Sequence, residues 1–178
     1  MHRLISTKLR PSEYFGAMAV SWIVALTIST LPVVLLGFFV YGGTLAIKPF
    51  SIEAVFTVIL ILVTMILSFS LGILIGLLAR SPEAANVIAN LVVWATMIGG
   101  GFWLPKFMLP DFLRWFAEVN VISVLFYAVT EIAVYGRGIA GYLAPTVAAV
   151  VVSLALFGVA SVIYVKYLPR LLETAETG

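Results

Sequence analysis

The residues that could do chemistry in this chain are few. There is one histidine, His2, and one aspartate, Asp111. No HExxH, GxSxG or phosphate-binding GxxxxGK[ST] segment occurs, and no carboxylate pair is present. The serines lack a plausible base. The absence of cysteine removes thiol nucleophiles, disulfides and zinc thiolate sites together, and a metal site finds too few ligands. These exclusions point away from an enzyme. They leave polar residues whose work would be recognition and packing.

Three such arrangements stand out. Asn86 and Asn90 lie one helical turn apart, and Val93 and Met97 continue the same face. Amides surrounded by lipid need partners, so this face should look toward other helices or a wet path. Hydrogen bonding between helices is the plainer role; a substrate path through Asn86, Asn90 and Met97 is the sharper one. From Asp111 onward, a helical wheel gathers Asp111, Arg114 and Glu118 on one arc and Phe112, Trp115, Phe116 and Val119 on the other. Arg114 can there pair with Asp111 and with Glu118, and the helix would lie in a membrane interface. Ser68, Gly72 and Gly76 form a small-residue ridge suited to close helix packing.

The elements that carry these groups are apolar. Of the 178 residues 63% are hydrophobic and 10% charged, where soluble domains run near a quarter charged. The fold class expected is an all-α integral membrane protein. A crossing helix needs about 20 apolar residues, and four uncharged runs supply them: Tyr14–Ile47, Ala54–Ala79, Ala84–Pro105 and Gly138–Val165. The first is too long for a signal-peptide core, so it reads as a permanent span. It contains Pro32, a kink site. Ser81, Pro82 and Glu83 predict a capped helix start after a tight turn. A fifth run, Val119–Thr130, would cover only about 18 Å, against about 30 Å of hydrocarbon. Bounded by Glu118 and Glu131, it predicts a short re-entrant segment rather than a crossing.

Four crossings put both termini on one side. Arg3, Lys8, Arg10, Arg80, Lys166 and Arg170 then face the cytoplasm, and Lys48, Lys106, Arg114 and Arg137 face away, in the sense of the positive-inside rule. The formal charge of +2 and pI near 9.0 reflect these scattered anchors. They form no basic stripe and predict no nucleic-acid partner. The four long runs hold no Asp, Glu, Lys, Arg or His, so proton or ion coupling finds no relay. A driving force for transport would come from a partner.

The layout resembles the transmembrane subunit of a type 2 ABC exporter. The likeness is carried by "RLISTKLRPSEYFGAMAVSW", similar to that family's coupling segment entering a span, and by "LGILIGLLARSPEAANVIANLVVW", similar to its tight turn between spans. It is carried most specifically by "GGGFWLPKFMLPDFLRWFAEVNVISVLFYAVTEIAVYG", with a Gly-Phe-x-x-Pro exit, a Leu-Pro helix and a re-entrant segment before the last span. The family often has Pro where Lys8 stands and Asn-Pro where Asn120–Val121 stands. The match implies the later part of a six-span unit, without the elbow helix and first two spans.

The resemblance implies a cytosolic coupling segment at residues 1–12, with Arg3, Leu4, Ile5, Lys8, Leu9 and Arg10 docking a separate ABC ATPase. It implies spans at 14–41, 53–79, 83–104 and 141–166, a cytosolic tail at 167–178, and an extracytoplasmic interfacial helix and re-entrant segment within 105–136. Phe102, Trp103, Phe112, Trp115 and Phe116 would form the outer lid. No cofactor is expected on this chain; ATP and Mg would be used by the ATPase. A second permease chain, the lipid bilayer and a plasma-membrane location complete the expectation. The competing reading is an accessory or structural four-span protein without transport.

Overall fold

Three polar residues each fix a helix start, and the fold is organised around those starts. In the computed structural model, residues 11–39, 45–48, 50–79, 81–104 and 106–176 are described, and the regular structure among them is helical. The elements are α1 (Pro11–Phe39), α2 (Ile52–Leu78), α3 (Pro82–Gly99), α4 (Asp111–Val119), α5 (Val121–Ala133) and α6 (Leu143–Glu176), with 3-10 turns at Lys106–Met108 and Ile139–Tyr142. Ser51 caps α2 by accepting from the Ala54 N–H at 3.2 Å. Ser81 caps α3 from Ala84, also at 3.2 Å, with Pro82 next in line. Asn120 caps α5, its Oδ1 accepting from Ile122 N at 2.9 Å and Ser123 N at 3.2 Å. Each cap satisfies donors that a helix cannot satisfy itself, a need that is acute where water is scarce.

The packing centres on α2. Its Leu60, Val63 and Leu67 meet Leu125 and Ala128 of α5 and Ala149 of α6 in the main core. Nearer the α2–α3 turn, Phe15 of α1 inserts among Phe69, Phe157 and Tyr164, with ring centroids 5.4, 5.5 and 5.3 Å away. That aromatic knot ties the first turns of α1 to α2 and α6. Many hydroxyls within the helices bond carbonyls one turn back: Thr27 to Ile23 and Ser29 to Ala25 at 2.8 Å each, and Ser153 to Ala149 at 2.7 Å. Those polar atoms are satisfied inside their own helix, whereas the buried hydroxyls of Thr57 and Ser123 have no hydrogen-bond partner among the described residues.

Among the described residues, three helices are long and apolar enough to cross a membrane: Ser12–Pro32, Ile52–Leu78 and Ile139–Lys166. α1 runs on through Pro32 without a break. The expected span at 83–104 ends early, because α3 stops at Gly99. It has 18 residues against 27 in α2, a deficit of about 14 Å, and it carries Asn86 and Asn90. α4 and α5 together have the composition of a membrane segment but bend by 84° at Asn120.

Other expectations shift. Two members of the small-residue ridge meet no described helix, since a Cβ built on Gly72 or Gly76 meets nothing within 4 Å, whereas Ser68 lines a cavity between α1, α2 and α5. α6 stays helical to Glu176, past the expected span end at 166.

Candidate functional site

The site is built where α3 gives out. Gly99, Gly100 and Gly101 end the helix and let α4 and α5 close in. A methyl group on Gly99 would stand 2.9 Å from the Phe116 ring. Gly101 has φ +75°, the left-handed region that favours glycine, and any Cβ there would collide with the Tyr127 hydroxyl. That hydroxyl donates to the Gly101 carbonyl at 2.8 Å, which locks α5 onto the end of α3. α4 is held from its other side by Arg114, whose guanidinium donates to the carbonyls of Lys106 at 3.3 Å and Leu109 at 3.2 Å. Of the two ion pairs expected for Arg114, only the one with Asp111 forms, at 3.6 Å. The guanidinium is turned back toward the preceding loop, away from Glu118.

The expected lid residues divide into two groups. Phe102 stacks on Phe126 with centroids 4.2 Å apart, and Phe116 turns inward against Gly99. Trp103 meets Trp94 edge-on at 5.8 Å and is largely exposed. Phe112 and Trp115 are exposed on α4. The inward face of α4 is therefore Leu113, Phe116 and Ala117, and the outward rings are free to meet acyl chains or a partner.

Behind these rings lies a cavity of about 690 Å³, lined by Phe102, Lys106, Tyr127, Glu131, Arg137 and Tyr142 among others. Lys106 Nζ stands 4.0 Å from the centre of the Tyr127 ring, a cation–π contact. Burial pushes its pKa below the ordinary value, while Glu118 and Glu131 pull it partly back. Glu131 is neutralised: Arg137 Nε pairs with it at 2.9 Å, and the Tyr142 hydroxyl donates to it at 3.2 Å. The same contacts, Tyr142 first, push the Arg137 pKa up. This solves the problem of a carboxylate at the end of a short apolar run. Below it, between α1, α2 and α5, sits an apolar cavity of about 290 Å³ lined by Leu26, Thr30, Ile61, Met65 and Ser68. Phe102 and Phe126 line both cavities.

On α3, the Asn90 amide donates to the Asn86 carbonyl at 2.9 Å and side-chain oxygen at 3.0 Å. Both asparagines are exposed and Met97 is half-buried, on a face the described residues do not cover. Arg3, Leu4, Ile5, Lys8, Leu9 and Arg10 lie outside the described residues. Sequence reasoning missed the cluster of Lys106, Tyr127, Glu131, Arg137 and Tyr142. The one usable signal was Glu131, flagged as costly in lipid without its partner being foreseen. Among the described residues no group of His, Cys, Asp or Glu could hold a metal ion.

A bundle of apolar helices, interrupted by a sharply bent helix pair whose second helix lines an aromatic cavity, defines a multi-pass membrane protein. Comparison with known families sharpens this. The family described as ABC-2 type transporter matches residues 1–134, so the chain belongs to that family and is a permease component of an ABC-type transporter, not a catalytic domain. No curated protein and no solved structure matches it.

Proposed function

We propose that this chain is the membrane-spanning half of an ATP-driven exporter in the plasma membrane. It works with a separate ABC ATPase, which uses ATP and Mg, and with a second permease chain, identical or related. Both termini are cytoplasmic, the α4–α5 pair is re-entrant from the far side, and its rings close the path. The observation that carries the reading is the 84° bend at Asn120, coupled to the early stop of α3. A helix pair so bent reaches into the bundle and turns back, as an outer lid must. The open Asn86–Asn90 face and the uncovered Gly72 and Gly76 support a second chain. Amides and small residues facing plain lipid would gain nothing there, but both suit a helix interface.

The coupling segment at residues 1–12 docks the ATPase, Leu4, Ile5 and Leu9 by apolar contact and Arg3, Lys8 and Arg10 by charge. The test is co-purification from native membranes. The wild-type chain recovers an ATPase with a phosphate-binding loop, and Leu4→Asp or Leu9→Asp abolishes recovery while the chain still inserts. Unchanged recovery by both variants would contradict the docking assignment.

A further inference from the structure

The two cavities that meet at the Phe102–Phe126 stack differ in chemistry. One is apolar and lies within the bundle, between α1, α2 and α5. The other is ringed by aromatic side chains and holds Lys106 and Arg137 against the single carboxylate of Glu131. That leaves one positive charge in excess. Arg137 already spends its charge on Glu131. Lys106 forms no ion pair with a described carboxylate: Glu118 and Glu131 act on it only from beyond ion-pair distance, and its ammonium rests on a ring face. A half-buried ammonium without a contacting anion lacks its strongest available stabilisation. Exposed Trp103, Phe107, Phe112 and Trp115 surround this end of the molecule, the pattern of an aromatic belt at headgroup depth. At that depth the abundant anion is lipid phosphate.

We propose that the paired cavities are a phospholipid site: the phosphate sits on Lys106 in the outer cavity, and an acyl chain passes the Phe102–Phe126 stack into the apolar cavity. The Tyr127 ring holds the ammonium in place before the lipid arrives, and Arg137 stands at the rim as a second, weaker donor. Thr130 and Tyr142 add hydroxyls to the outer cavity. The inner cavity meets the chain with Leu26, Ile61 and Met65 and offers no charge. The site lies within one chain, so it forms whether or not a second permease chain is present. It needs the membrane placement of the helices but not transport, and its failure would leave the permease assignment intact.

The purified full-length chain in a non-ionic detergent, titrated with dioleoyl phosphatidylglycerol and read by native mass spectrometry, provides the test. One lipid is retained per chain. Lys106→Met weakens retention by at least about tenfold, as loss of a charge-assisted contact requires, and Lys106→Arg restores it. Thr30→Trp, which fills the inner cavity from an exposed position on α1, weakens dioleoyl lipid more than the dihexanoyl form. Equal retention by Lys106→Met, or equal retention of uncharged dioleoylglycerol, would overturn the proposal. Complete displacement by millimolar inorganic phosphate would overturn its lipid part, leaving a site for the free ion.

Discussion

At the scale of single residues, the most informative group is Lys106. Sequence position alone makes it one of four basic residues on the far side of the membrane, interchangeable with Lys48. Its surroundings make it distinctive: the Tyr127 ring at 4.0 Å and enough burial to lower its pKa from 10.5. The sign of the consequence follows from proton counting. Between the lowered folded value and the unfolded value, the unfolded chain binds more protons, so stability rises with pH across that window. Below the window, the cost of burying the charged ammonium is present in full. Thermal unfolding in detergent should therefore shift upward as pH is raised toward 10.5, and Lys106→Met should lose that shift. A flat profile in the wild type would mean the ammonium is fully hydrated. None of this was legible in the sequence, because a cation–π contact between residues 106 and 127 depends on how α3 ends. Glu131 shows the opposite case. Its cost in lipid could be read from its place in an apolar run, but its partners Arg137 and Tyr142 required the chain to turn back.

At the scale of elements, the α4–α5 pair was partly legible. The short run between Glu118 and Glu131 and the amphipathic stretch before it predicted an interfacial helix followed by a short, non-crossing one, and both helices form. The bend angle and the inward face of α4 were not legible. A wheel drawn from charges alone cannot tell that Leu113 and Phe116 must fill the space above Gly99. The hinge is Asn120, with φ −71° and ψ 117° and two N–H groups on its side chain. Removing that cap should destabilise the pair: Asn120→Ala should cost about 1 kcal/mol, seen as faster proteolysis between α4 and α5. Val121→Pro should be close to neutral. The first helical position tolerates a proline, and Asn120 already has the extended backbone that a following proline demands. The Asn-Pro of the resembled family and the Asn-Val of this chain are then two versions of one cap. A Val121→Pro variant as unstable as Asn120→Ala would show that the hinge is held by Val121 packing instead.

At the scale of the whole molecule, the all-helical membrane class followed from composition and run length, which depend on the hydrocarbon thickness and little else. The helix expected as the third span ends before its apolar run does. Its apolar run continues to Pro105, but three glycines stop the helix at Gly99 and hand the remaining depth to α4 and α5. The faces left open, Asn86–Asn90 on α3 and Gly72–Gly76 on α2, could be recognised in the sequence as polar or small. Only packing shows that the described residues of this chain do not cover them. All of the functional reading depends on α4–α5 entering and leaving from the same side. The chain has no cysteine, so single-cysteine variants labelled with a membrane-impermeant maleimide in oriented vesicles test it directly. Ser12→Cys, Glu83→Cys and Thr174→Cys should react from one side, and Leu45→Cys and Gly138→Cys from the other. Gly138→Cys reacting with the Ser12 side, and Thr174→Cys opposite it, would make the bent pair a full crossing and contradict the account.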